Sequence, residues 1–325
     1  GHTGGKPREI RVLRRGNILS PGDVVVPGTV PVIPAIDWKF DVPIDNPEGD
    51  RRIALADWIV RDDNPLAWRS IVNRVWLYHF GQGLVQSPND FGRMGQMPTH
   101  PDLLDWLACE LRETQSLKHL HRLIVTSSVY RQASTHHPEY AKIDSGNQWL
   151  WRMNRRALDA EAIRDSALAI SGMLDTQMYG PGFRDFVLEK PEHSPHYEYH
   201  KHDPSDRSTH RRSVYRFLVR SQQQPFMQTL DCADPSQSVA KRDTTLTSIQ
   251  ALTLLNNKFM IFASEQFAEQ LDGDELNQVR QMFRSALARE PTERELRDVS
   301  AFAVEYGIQN ACRVVLNLNE FVFVD

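Results

Sequence analysis

The sequence predicts a mainly α protein: a multi-helical globular body with a short N-terminal β or extended arm and a long irregular, loop-rich segment. Three observations predict it. Apolar residues recur at helical spacing, between paired start and stop signals, from residue 50 onward. Residues 8 to 33 alternate in the manner of strands and lead into a proline-rich stretch. Both patterns fail between about 176 and 245.

The arm comes first. Ile10, Val12 and Leu13, then Val24-Val25-Val26, flank the turn-like Ser20-Pro21-Gly22-Asp23, and Pro27, Pro31, Pro34, Pro43 and Pro47 stiffen the chain beyond them. This arm spans 1–48. A helical body spans 49–175. It opens with "RRIALADWIVRD", whose Ile53, Leu55, Ala56, Ile59 and Val60 form a broad apolar face. "NPLAWRSIVNRVWLYHFGQG" starts at Asn64, has Pro65 in the first helical position and stops at Gly81. Thr99 and Asp102 are expected to cap "THPDLLDWLACEL", with Leu103, Leu104, Leu107 and Leu111 as its core stripe. Ser116 starts "SLKHLHRLIVTSSVYRQ", with Leu117, Leu120, Ile124, Val125 and Val129 facing inward. "LDAEAIRDSALAISG" closes on Gly172.

The irregular region spans 176–245. It holds Pro181, Pro191, Pro195, Pro204, Pro225 and Pro235, and it is too long for an ordinary connection, so it reads as packed functional loops. A C-terminal helical part spans 246–325 and is expected to pack on the same core. Thr247 and Gln250 cap a helix running through "ALTLLNNKFMIFASEQFAEQL"; Thr292 and Glu295 cap "TERELRDVSAFAVEYG"; "NACRVVLNLNEFVFVD" ends the chain.

Composition bounds function. The chain has 325 residues, 40% of them hydrophobic and 25% charged, enough to bury a sizeable core without staples. A net charge of -4 gives no global field for nucleic acid or an anionic membrane. Cys109, Cys232 and Cys312 form no CxxC pair and no disulfide framework, and Cys109 and Cys312 fall in apolar helical patterns as buried thiols. No apolar run approaches the ~20 residues needed to span a bilayer. Gly1 to Arg15 is polar rather than a signal peptide, and the opening Gly1-His2 reads as a fusion remnant, so the chain reads as a piece of a longer protein.

Several long strings, among them "NPLAWRSIVNRVWLYHFGQGLVQSPNDFG", "PTHPDLLDWLACEL", "LWRMNRRALDAEAIRDSALAISG" and "TLTSIQALTLLNN", closely resemble the planctomycete surface domain family. "RVLRRGNILSPGDVVVPGTVPVI" resembles the segment that opens this domain and "VVLNLNEFVFVD" its end, so the resemblance covers nearly the whole chain. It implies a domain of unknown function that follows planctomycete-type cytochrome c domains, in an extracytoplasmic protein of a polysaccharide-degrading bacterium. It implies partner domains of the same parent chain and no established activity. No CxxCH motif occurs, so this chain carries no haem.

Three constellations could carry chemistry. Residues 192–213 hold five of the twelve histidines: His193, His196, His200, His202 and His210. His196, His200, His202 and Asp203 offer donors that suit a transition metal, zinc or copper above all, although no established ligand spacing is present. The same imidazoles suit acid–base catalysis or a polar loop stacked on Tyr197 and Tyr199. Arg211, Arg212, Arg216 and Arg220 follow. On a helix, Arg212, Arg216 and Arg220 share one face; on a strand, Val214, Arg216, Leu218 and Arg220 do. Together with the two tyrosines they are candidates to bind an acidic or sulfated glycan, or to pair with Asp203, Asp206, Asp231, Asp234 or other carboxylates. Asn73, Arg74, His79, Asp90 and His100, with Asn89, form a polar set expected to brace a helix end through an Arg–Asp pair. His119 and His121 lie on different faces of their helix.

The reading taken from this is a surface or periplasmic module that binds a glycan or a partner domain. The alternative is a metal-dependent or acid–base enzyme acting on an acidic or sulfated polysaccharide, with its site around 193–220.

Overall fold

The computed structural model describes residues 8–29, 31, 33, 36–190, 192 and 194–324. It is mainly α, with short two-stranded pairings only. The chain forms two compact units, Gly1–Gln132 with His137–Trp151, and Ala133–His136 with Arg152–Asp325.

In the first unit, β1 (Arg11–Leu13) pairs antiparallel with β2 (Pro21–Val24). α1 (Glu48–Ile59), α2 (Pro65–Phe80), α3 (Pro101–Thr114), α4 (Leu117–Thr126) and α5 (Pro138–Ile143) follow. α2 is the pivot. Asn64 Oδ1 accepts the Leu66 N–H at 3.2 Å, Pro65 needs no donor there, and Gly81 ends the helix at φ 75°. Its Trp68, Val72, Trp76 and Phe80 bury against Leu104, Leu107 and Leu111 of α3 and Leu120 and Ile124 of α4. Asn73, fully buried in α2, exchanges two bonds with Val85, at 2.9 and 2.8 Å, and so pins the loop after the helix. A Cβ on Gly83 would lie 2.6 Å from the Val85 carbonyl and 2.8 Å from Asn73 Oδ1, so that loop requires glycine.

Several expectations fail here for identifiable reasons. Ile53, Leu55, Ala56 and Ile59 of α1 and its C-cap Val60 are exposed, because no element among the described residues of this unit covers that face. Thr99 does not cap α3: His100 holds the N-cap position, with Pro101 first in the helix. α4 stops at Thr126, where the Ser127 hydroxyl turns back to donate to the Ile124 carbonyl at 2.7 Å. Leu117, Val125 and Val129 are exposed, as is Cys109 on α3.

The second unit contains β3 (Arg156–Ala157), α6 (Ala160–Ile170), β4 (Val187–Glu189), β5 (His196–Glu198), α7 (Pro225–Thr229), α8 (Ser248–Asn256), α9 (Lys258–Glu269), α10 (Glu275–Leu287), α11 (Glu293–Tyr306), α12 (Ile308–Val315), α13 (Asn319–Val322) and β6 (Phe323–Val324). β3 pairs with β6 and β4 with β5, both antiparallel. α9 and α12 form the centre, with α6 and α10 against them; Met260, Ala263, Phe267, Met282, Phe283, Cys312 and Val315 are its innermost residues. α6 thus belongs with the C-terminal helices. The single helix expected after Thr247 is two: Asn257 is extended at ψ 135°, and its side chain accepts the Phe259 N–H, ending α8 and starting α9 in one residue. Both expected capping boxes form, at Thr247–Gln250 and Thr292–Glu295.

Phe267→Ala should cost ~3–5 kcal/mol in urea denaturation, while Ile53→Ala on the bare face of α1 should stay within about 0.5 kcal/mol. A second expectation concerns acid. Arg289 donates to both oxygens of Glu295, at 2.9 and 2.7 Å, and holds this carboxyl at about 2, against an ordinary value of 4.5. Its folded value is depressed, so its contribution is complete above 4.5 and is lost as pH falls toward about 2. Glu295→Gln should flatten the urea midpoint against pH within that window.

Candidate functional site

The irregular segment is organised from α6. The buried stripe of this helix is Ala160, Ile163, Arg164, Ala167 and Leu168, so one cation stands in an apolar row. Arg164 is 6% exposed. Its guanidinium donates to the carbonyls of Arg211 at 3.0 Å and Thr209 at 2.5 Å and to the Ser213 hydroxyl at 3.2 Å. It also lies 5.0 Å from the Phe183 ring centre and 5.6 Å from that of Phe259. Asp165, next along, accepts the Ser213 N–H at 2.8 and 3.0 Å and its hydroxyl at 2.7 Å. Two adjacent residues of one helix thereby fix the backbone of 209–213.

From there the chain adopts neither of the geometries the arginine spacing suggested. A single short helical turn, Ser213–Tyr215, is followed by extended backbone at Arg216, and the buried residues are Ser213, Arg216 and Val219, every third one. The four arginines consequently diverge. Arg211 donates to the carbonyls of Pro181, Gln177 and Tyr179 at 2.7, 3.2 and 2.5 Å and packs 4.0 Å from the Tyr215 ring centre. Arg212 and Arg220 are exposed. Arg216 is buried 3.9 Å from the carboxylate of Asp185, which was not among the partners singled out from the sequence.

The histidines diverge as well. His196 is exposed on β5. His200 is exposed beside Glu198, 3.2 Å away. His202 is half-buried, with Nε2 3.3 Å from the Thr209 hydroxyl, and His210 is buried against the Pro204 carbonyl at 2.8 Å. Asp203 turns onto the Ser205 N–H at 2.9 Å. His193 lies outside the described residues. Among the described residues, no three His, Cys, Asp or Glu side chains are placed to hold a metal ion, so the four proposed ligands do not form a centre. Tyr197 and Tyr199 point into a small core, 5.1 and 5.5 Å from the Phe186 ring centre; the Tyr199 hydroxyl donates to the Gln222 carbonyl, and burial pushes it up to about 12.

The polar set of the first unit forms separate contacts. Arg74 donates to Asn89, not to Asp90, at 2.5 Å; Asp90 accepts the Gly92 N–H; His79 meets His121 at 2.8 Å; and His100 meets Thr99 at 2.9 Å. His119 turns away from His121 to Glu110, at 3.0 Å.

What the segment does enclose is a cavity of about 350 Å³ in the second unit. Phe226, Phe259, Pro225 and Tyr199 give it apolar walls, and Arg164, Asp185, His202 and Lys258 give it polar ones. Lys258, the first residue of α9, ties down the rim by donating to the carbonyls of His200, at 2.5 Å, and His202. Asp185 is 6% exposed, and its Oδ1 has no hydrogen-bond partner among the described residues. Burial raises its carboxyl above the usual range against the opposing pull of Arg216, and burial lowers the His202 imidazole against the pull of Asp185. Sequence reading missed Arg164, Asp185, Lys258 and Phe259. Only Arg164 carried a signal, as a cation at a core position of the α6 stripe.

A family model described as PSD1, protein of unknown function (DUF1553), matches residues 51–303. No curated protein and no solved structure matches the chain.

Arg164→Met leaves two buried carbonyls without a donor. It should cost about 3 kcal/mol in urea denaturation and speed amide exchange over 207–217 more than elsewhere.

Proposed function

We propose that this chain, which belongs to the PSD1 family of proteins of unknown function, is a binding module whose site is the cavity beside the start of α9, and that its ligand is a segment of glycan. The observation that carries this reading is the lining itself, in which Phe226, Phe259 and Tyr199 stand beside the polar side chains of Arg164, Asp185, His202 and Lys258. A sugar offers hydroxyls on its edge and a C–H face that packs on Phe259 or Phe226. The volume falls within the ~300–1,000 Å³ of small-ligand sites. The family resemblance supports an extracytoplasmic setting and partner domains in the parent chain. No helix among the described residues is long and apolar enough to cross a membrane.

The second reading is an acid–base enzyme on an acidic polysaccharide. The opposed shifts favour it: Asp185 is held toward its protonated form and His202 toward its neutral form, in one cavity.

Calorimetry and saturation-transfer NMR with neutral and uronic-acid oligosaccharides test both. Binding by the parent should weaken about tenfold in Asp185→Asn and in Phe259→Ala, or ~1.4 kcal/mol each. Binding of no saccharide, or equal binding by both variants, sinks the first reading. Chain cleavage that Asp185→Asn abolishes establishes the second.

A further inference from the structure

The second unit holds another cavity, of about 200 Å³, that shares no lining residue with the first. Leu158, Ile163, Leu230, Leu254, Val322 and Phe323 make it apolar. Its wall includes β3 and β6 residues on one side and Asp243 to Thr247, the lead-in to α8, on another.

Three features decide what it takes. The first is size. At about 200 Å³ it is smaller than the ~300–1,000 Å³ typical of small-molecule sites, but large enough for one bulky side chain. The second is charge. The charged residues of the lining are Asp159, Asp231 and Asp243, with no lysine, arginine or histidine among them. Asp231 is occupied by Thr245 and Gln250, and Asp159 has Arg242 at 3.9 Å, but Asp243 is exposed with no ionic partner among the described residues. The third is open backbone. Residues 238–246 are neither helix nor strand, and among the described residues their backbone makes no hydrogen bond to other backbone groups, although the Thr245 N–H donates to Asp231 Oδ2 at 2.6 Å. Leu246, within this stretch, is 79% exposed.

We propose that this cavity is a docking pocket for a basic, extended peptide segment of a partner. One bulky apolar side chain enters between Leu158 and Leu254, a flanking lysine or arginine meets Asp243, and the peptide backbone pairs with the open 238–246 stretch. Main-chain pairing supplies affinity in this mode of recognition and the side-chain pocket supplies selection. The carboxylate rim then discriminates by charge. The pocket is independent of the glycan site, so either can fail alone.

The test is fluorescence polarisation at low salt with two labelled peptides, Thr-Lys-Val-Leu-Val-Lys-Thr and Thr-Glu-Val-Leu-Val-Glu-Thr. The basic peptide should bind and the acidic one should not, with affinity falling as salt rises. Asp243→Asn should weaken binding about two- to fivefold, the worth of one exposed ion pair. Ala251→Trp, placed on an exposed α8 position that lines the cavity, should abolish binding without moving the melting midpoint. Binding of neither peptide, equal binding of both, or indifference to Ala251→Trp overturns the proposal. So does concentration-dependent self-association lost in Ala251→Trp, which would make a second copy of the chain the occupant.

Discussion

A guanidinium withdrawn from water governs the second unit. Arg164 rises from the buried stripe of α6 and supplies donors to the Thr209 and Arg211 carbonyls, while Asp165 beside it takes up the Ser213 N–H and hydroxyl. Buried backbone polar groups must be paired, and an irregular segment has no ladder with which to pair them. The planar guanidinium presents several donors in one rigid fork, which suits it to two carbonyls at once better than a flexible ammonium. The rings of Phe183 and Phe259 pack near it, so its burial also brings cation–π contact. Removing this one group would release the chain that carries His202, His210 and Arg216.

That role explains why the charged residues that look most like ligand-binders do something else. Arg211 uses its terminal nitrogens on three carbonyls, and Arg216 lies buried 3.9 Å from Asp185 inside the fold. His202 meets a hydroxyl, His210 a carbonyl and His200 a glutamate. An irregular region must satisfy its backbone with side chains, and those side chains are Arg, Asp, Ser and Thr. Richness in polar residues over 192–220 therefore reports the cost of irregularity as much as the presence of a site.

Helix ends were legible from the sequence because capping is local: Asn64-Pro65 with Gly81, Thr247 with Gln250, and Thr292 with Glu295 each act within four residues or through one glycine. The core stripe of α3 was legible for the same reason, since Leu104, Leu107 and Leu111 follow one helical face. Faces that depend on a partner were not legible. Ile53 and Ile59 on α1 have the right period but nothing among the described residues covers them, and Val125 was assigned inward on a helix that ends one residue later. The cavity was the least legible feature. Asp185, Phe226 and Phe259 come from three separate segments and meet only through tertiary packing. The three-residue burial rhythm of Ser213, Arg216 and Val219 fits neither a helical nor a strand template.

Asp185 is the point where economy of folding and use of the site part company. Burial holds its carboxyl toward the neutral form, Arg216 at 3.9 Å pulls it the other way, and Oδ1 has no donor among the described residues. A fold concerned only with stability would satisfy this oxygen or replace the pair with apolar side chains, since buried ion pairs are often neutral or unfavourable beside a hydrophobic substitute. Here the pair is kept beside a cavity that Asp185 lines together with Phe226, Phe259 and Tyr199, and Lys258 holds the rim in place through backbone carbonyls rather than by closing over the opening. Retention of the pair is what the proposed binding role would explain, since a carboxyl beside aromatic rings offers a sugar both a polar partner and an apolar face.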